Sequence, residues 1–313
     1  MKKLIIWIAV IFVLVIIVMI GWLLYNNWQI SLSTIPPKIP ADLQVNAISA
    51  TEIQVKWKDT SNNELGFILF RDGVEIFKLL KNTEKYRDNG LKPSTLYTYQ
   101  VQSYNEAGKS GKIEMSSKTK NPPIAVKLEM VGVYDNGEDF LREFDIKDLL
   151  PTYTGFGEIY VGIIVTDGIK TNQYHLPGSG DYYRLRENET QEVNINLFET
   201  SEIGEYLGIA VVAYEKDGGG VESLLYQALG TVVKSYIGPV PSAIFFVSGI
   251  SFSDIIGDIC GADDDNLGSF QKYWTNQTNW GVGKYNNVTC TGENNKPGFR
   301  FSISIESPLI NAN

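Results

Sequence analysis

The chain opens on an unbroken apolar run. After Lys2 and Lys3, residues 4–25 (LIIWIAVIFVLVIIVMIGWLLY) carry no charge. As a helix rising 1.5 Å per residue, such a run extends about 33 Å, enough for the hydrocarbon core of a bilayer. Trp7 near one end, and Trp22, Tyr25 and Trp28 near the other, suit the two membrane interfaces. A cleaved secretion signal has a shorter apolar stretch that ends at small residues, and this run has neither feature. The pattern predicts an uncleaved transmembrane anchor over residues 1–28. Two lysines precede the run and the next is Lys38, so the positive-inside rule sends everything after it out of the cytoplasm.

Beyond the anchor the pattern changes to two-residue alternation, the signature of strands with one buried face. Prolines cut it into segments. Residues 29–39 read as a proline-rich linker, because proline fixes φ and stops a helix. Further breaks at Pro122-Pro123 and at Pro239 and Pro241 leave segments 40–120, 123–238 and 239–313. The predicted fold class is mainly β: a transmembrane helix, two β-sandwiches and a loop-rich C-terminal region.

In the first segment Ile53, Val55 and Trp57 alternate with polar residues and share one face. The polar stretch 59–64 (DTSNNE) favours turns, since Asp, Ser and Asn side chains bond to nearby backbone. Residues 66–71 read as the next strand, Asp72-Gly73 as a hairpin turn, and residues 74–77 as the returning strand. Trp57 then fills the core between two sheets, and the polar stretch carries the chain from one sheet to the other. Tyr97, Tyr99, Val101 and Ser103 share a face of a later strand. The set Trp57, Asp59, Gly66, Phe67, Arg71-Asp72-Gly73, Tyr86, Asp88, Gly90, Leu91, Pro93, Tyr97, Tyr99, Asn105 and Gly108 resembles a fibronectin type III domain of prokaryotic surface proteins. That resemblance implies a seven-stranded sandwich, with Tyr97 as a corner tyrosine whose hydroxyl bonds back to the backbone. It also implies a spacer or binding module. The run Ala107-Gly-Lys-Ser110 lacks the earlier glycine of a phosphate-binding loop, because Ser103 stands there.

The second segment shows strand patterns at 124–133, 158–165, 193–197, 207–214 and 223–226, with a short helix near 141–150 or 200–206. These predict a second sandwich. Acidic residues gather at the expected strand ends: Asp135, Glu138, Asp139, Glu158, Asp167, Glu215 and Asp217. The arrangement is similar to C2-type sandwiches. It implies a Ca2+ site drawn from Asp135, Glu138, Asp139, Glu215 and Asp217, since calcium takes about 6–8 oxygen ligands. Ordinary solvated turns are the alternative. His175 is expected in an exposed surface loop.

The last segment has strand patterns at 244–247 and 299–305 around some fifty loop-rich residues. Outside the cytoplasm, a Cys260–Cys290 disulfide would close about 30 of them and contribute roughly 3–4 kcal/mol. The Asp263-Asp-Asp-Asn-Leu-Gly268 run suggests a calcium loop, although Trp274 stands where a helix-loop-helix site needs an acid. Tyr273, Trp274, Trp280 and Tyr285 would either stack on sugars or form a local core. Asn188, Asn276 and Asn287 each open an Asn-x-Thr acceptor pattern for glycosylation.

Composition narrows the functions. With 36 acids against 27 bases the formal charge is −9, which argues against a nucleic-acid partner. One histidine and two cysteines cannot supply four Cys/His ligands to zinc, and a histidine-dependent triad would have to use His175. The expectation is a non-catalytic, membrane-anchored extracellular binding or scaffold protein. Its partners would be the bilayer, through the helix, and a protein or surface polymer. Two alternatives stand beside it. One is a polysaccharide hydrolase using carboxylates among Glu138, Asp139, Glu158 and Glu215. The other is a structural subunit of an envelope complex or filament.

Overall fold

The computed structural model describes residues 2–134, 157–178, 181–215, 266–291 and 297–310, with the side chains of the first helix described over 11–26. Helix α1 (Lys2–Ser33) stops three residues before Pro36, where the missing N–H and the ring end helical bonding. Its described apolar stretch covers only 11–25. Among the described residues no helix is long and apolar enough to cross a membrane.

Residues 35–40 do not hang free as a linker. The Ile35 carbonyl accepts from the side-chain amides of Asn63 (2.9 Å) and Asn105 (2.8 Å). The Lys38 N–H donates to Ser61 Oγ, and its carbonyl accepts from Ser103 Oγ. Pro37 and Pro40 are buried. The first sandwich therefore takes up half of the stretch that composition alone marks as a spacer.

That sandwich has β1 (Ala41–Ala47), β2 (Glu52–Lys58) and β5 (Lys85–Asn89) in one layer. The other layer holds β3 (Gly66–Arg71), β4 (Val74–Leu80), β6 (Leu96–Asn105), β7 (Gly108–Lys109) and β8 (Ile113–Lys118). Trp57 ends up 4% exposed between them, with Ile53, Val55, Phe67, Leu69 and Val101. Asp72 and Gly73 form the two-residue turn from β3 to β4, both at positive φ (52° and 81°), as the twist of a tight hairpin requires. The Lys92 N–H donates to Tyr97 Oη at 3.0 Å, so Tyr97 is the corner tyrosine. Tyr97→Phe leaves that N–H without its protein acceptor. It should cost about 1 kcal/mol in chemical denaturation, with an unchanged m-value.

A polar clamp crosses the same core. Asp88 of β5 accepts from Arg71 Nη1 (2.8 Å) and from Tyr99 Oη (2.7 Å), which come from the opposite layer. Burial, and then the bond to Asp88, push the Tyr99 hydroxyl well above its ordinary value. The folded state thus holds this proton more tightly than the unfolded chain, whose tyrosines titrate near about pH 10. The stabilisation is complete below that pH and is lost as pH rises beyond it. Melting curves of wild type should fall more steeply above about pH 10 than those of Tyr99→Phe, which has no proton to lose.

Among the described residues of the second unit, 121–313, there are nine strands. They are β9 (Ile124–Val133), β10 (Gly157–Thr166), β11 (Thr171–Leu176), β12 (Tyr183–Leu185), β13 (Thr190–Thr200), β14 (Tyr206–Glu215), β15 (Asn266–Thr275), β16 (Gly283–Thr291) and β17 (Pro297–Glu306). The hydrogen-bonded order is β11-β10-β14-β15-β16-β17-β9-β13, with β12 on β10. Among the described residues Ser269 and Thr291 are the only pair between β15 and β16, so the path folds there into two layers. Val161, Ile163, Ile209 and Val211 of one layer share a core with Leu128, Phe299, Phe301 and Ile303 of the other. At the far edge, side chains of β11 and of the turn before it close the gap to β13. Asn172 Nδ2 and Tyr174 Oη donate to the Leu197 carbonyl at 2.9 and 2.7 Å, and Lys170 Nζ donates to that of Glu199 at 2.9 Å.

Several expectations change here. Residues 266–291, read as loop, supply β15, a 3-10 turn (Asn276–Gly281) and β16. They belong to the same sheet path as the second segment. His175 is not an exposed loop residue. It lies in β11, 7% exposed, with its ring 5.4 Å from that of Tyr160. Residues 200–206 form no helix. The patterns at 141–150, 223–226 and 244–247 lie outside the described residues.

Candidate functional site

Four strand ends meet at one end of the second sandwich. Antiparallel register sets Thr200 opposite Ile124, Ile305 opposite Val126, and Gly283 opposite Ile305. The ends enclose an open groove of about 620 Å³, in the size range of small-ligand sites. Ile124, Val282, Ile305, Pro308 and Ile310 make it largely apolar. Charge enters at the rim. Glu199 and Glu306 both sit opposite Ala125 and therefore flank it on one face, and Lys284 lies beyond them. Lys284 Nζ is 3.9 Å from Glu129 Oε1, a loose pair between an exposed lysine and a half-buried glutamate. Ser304, fully buried, also lines the groove, and its hydroxyl has no hydrogen-bond partner among the described residues. Such a surface can hold an apolar group by burial, with charge placed only at its margin.

The residues that sequence reasoning singled out are scattered. Asp135, Glu138, Asp139 and Asp217 lie outside the described residues. Glu215 ends β14 and is 5% exposed. It stands opposite Ile159 and shares that residue's core-facing side, whereas Glu158, next along β10, projects to the other side. These two carboxylates therefore do not form a facing pair. Asp167, expected among solvated or calcium-binding acids, is buried. Its Oδ1 accepts from the N–H groups of Ile169 (2.8 Å) and Lys170 (2.6 Å), and its Oδ2 from that of Gly204 (3.3 Å). It shapes the β10–β11 turn. Among the described residues no three His, Cys, Asp or Glu side chains gather as metal ligands would. Asn188, Asn276 and Asn287 are all exposed, the first and third at positive φ (62° and 52°).

No disulfide is seen among the described residues. Cys290 is a free thiol with no exposed surface, because its place in β16 opposite Phe299 puts the sulfur in the core. Cys260 lies outside the described residues. Burial raises the Cys290 thiol well above its ordinary value. Both effects protect it. Maleimide at neutral pH should leave Cys290 unmodified in the native protein and label it fully in denaturant, as read by mass spectrometry.

The aromatic residues of this region divide. Trp274 and Trp280 are buried core, while Tyr273 stays 42% exposed. Lys272 Nζ lies 5.3 Å from the Trp274 ring centroid and 5.7 Å from that of Tyr285, at the edge where β15 and β16 part. Trp280 Nε1 donates to the Gly204 carbonyl at 3.0 Å, and Asn121 Nδ2 donates to the same carbonyl at 3.2 Å. Sequence reasoning allowed Trp280 as local core but missed its bond to Gly204. The one signal was Gly204 itself, where a Cβ would come within 2.1 Å of the Asp167 carbonyl.

Comparison with known proteins bears on the first sandwich. The fibronectin type III domain model matches residues 36–119. This segment is a fibronectin type III domain. Over 74 residues the chain is 32% identical to an alpha-amylase of Niallia circulans, covering 23% of this chain and 6% of that protein. Over 76 residues it is 36% identical to a gellan lyase of a Bacillus species, covering 24% of this chain and 3% of that protein. Both matches thus span a small fraction of the relatives' lengths. Among solved structures, FN3tt aligns at 21% identity with a TM-score of 0.25, over 27% of this chain and 96% of that one. The fibronectin type III match begins at Pro36, which agrees with the docking of residues 35–40.

Proposed function

We propose that the protein is a membrane-anchored, non-catalytic binding protein of the cell envelope, with its sandwiches outside the cytoplasm. Helix α1 carries the reading. Residues 4–25 are uncharged, and the described side chains are apolar on every side, with Phe12 66%, Val18 70% and Leu24 65% exposed. In water that surface is unfavourable, and a lipid environment removes the cost. The fibronectin type III domain supports a role in presentation or binding. Relatives named an alpha-amylase and a gellan lyase share only this module with the chain, which supports a surface polysaccharide as the partner class.

The test uses the full chain in nanodiscs, incubated with purified envelope polysaccharides. Saturable retention without shortening of the polymer is expected. Product formed by clean protein would overturn the non-catalytic reading.

A further inference from the structure

We infer that the fibronectin type III domain stands directly on the bilayer with a fixed end inward, its 59–65 and 105–108 loops facing lipid and its 90–95 turn facing away. The inference rests on the membrane-anchor reading and adds an orientation to it. The uncharged run ends at Tyr25 and α1 ends at Ser33, a rise of about 12 Å along the helix. Two residues later, at most about 7 Å further, Ile35 is already held by the domain. Its carbonyl takes both Asn63 and Asn105, one from each loop. Asn105 Nδ2 also reaches the Asn63 carbonyl (3.2 Å), which ties the loops to each other. From there residues 36–39 lie along the domain. A Cβ on Gly108 would sit 3.5 Å from Pro36, and one on Gly111 would press on Ile39 at 2.8 Å. Thr60 Oγ1 donates to the Ile39 carbonyl at 2.7 Å.

Too little chain remains between membrane and domain for free tumbling. The contact end presents apolar side chains there, with Ile35 57% and Leu65 51% exposed, as a surface near lipid headgroups tolerates. The chain leaves at the other end, where the Lys120 N–H donates to the Ser49 carbonyl. The ten-residue β6 separates the two ends by about 34 Å. The 59–65 and 105–108 loops are therefore occupied by the tether, and the free ligand-binding surfaces lie elsewhere.

The test places a donor fluorophore on the full chain in a Cys260→Ser, Cys290→Ala background, at Glu106→Cys or at Lys92→Cys. Liposomes carry acceptor-labelled headgroups, and flotation is scored first. Protein that fails to float overturns the anchor reading itself. For protein that floats, transfer from position 106 should exceed that from position 92 by about twofold or more, given the separation of the ends. Adding Asn63→Ala and Asn105→Ala should shrink that ratio toward one while circular dichroism stays native. Equal transfer from the two positions in floating, folded protein overturns the inference and leaves the anchor standing.

Discussion

Trp57→Ala should destabilise the fibronectin type III domain by about 3–5 kcal/mol, a fall in Tm of roughly 15–30 °C for a domain of this size. The indole is 4% exposed and packs on Phe67 with ring centroids 5.5 Å apart. Alanine removes its contacts and leaves a cavity between two layers that strand pairing holds apart. The indole N–H adds a second, separable term. It is buried and has no hydrogen-bond partner among the described residues. Trp57→Phe deletes this unsatisfied donor as well as some volume, so its cost should stay well below that of alanine. Calorimetry of the full chain checks both variants. Equal losses for alanine and phenylalanine would contradict this reading.

Trp280→Ala should cost a similar amount, about 3–5 kcal/mol, in the second sandwich. Trp280 is 2% exposed within the shared core, and its N–H bonds to Gly204. Its backbone is held at φ 50°, after Asn279 at 49°, which non-glycine residues adopt only at a cost of about 1–3 kcal/mol. Burial of the indole offsets that strain, and Gly281 must lack a Cβ because one would fall 2.6 Å from the Trp274 ring. Without the indole the 3-10 turn keeps its strain and loses its reason. Proteolysis should then cut near residues 276–281 in Trp280→Ala before it cuts wild type.

How much of this was legible depends on how local the determinants are. The first sandwich could be read because its signals are short-range: the Asp72-Gly73 turn, alternation around Trp57, and Tyr97 bonding back five residues to Lys92. Its polar clamp could not, because Arg71, Asp88 and Tyr99 meet only after two layers close. In the second sandwich alternation marked β9, β10, β13, β14 and β17, but not their partners. β9 pairs with β17 across more than 150 residues, and β14 pairs with β15 across some fifty, and no local rule sets such registers. β15 was hidden for a different reason. Its sequence, Asn-Leu-Gly-Ser-Phe-Gln-Lys-Tyr-Trp-Thr, follows an acidic run and carries few β-branched residues, so it reads as a polar loop. His175 was misplaced by its neighbours, since Pro177 and Gly178 promised a turn that begins only after β11 has ended.

The central claim is that α1 anchors exterior sandwiches in the membrane. Its most direct test is alkaline carbonate extraction of membranes from cells making the full chain, combined with protease added to intact cells. The account predicts that the chain stays in the membrane pellet and that external protease removes the sandwiches while the cells remain closed. Release into the carbonate supernatant, or cleavage only after lysis, would contradict it.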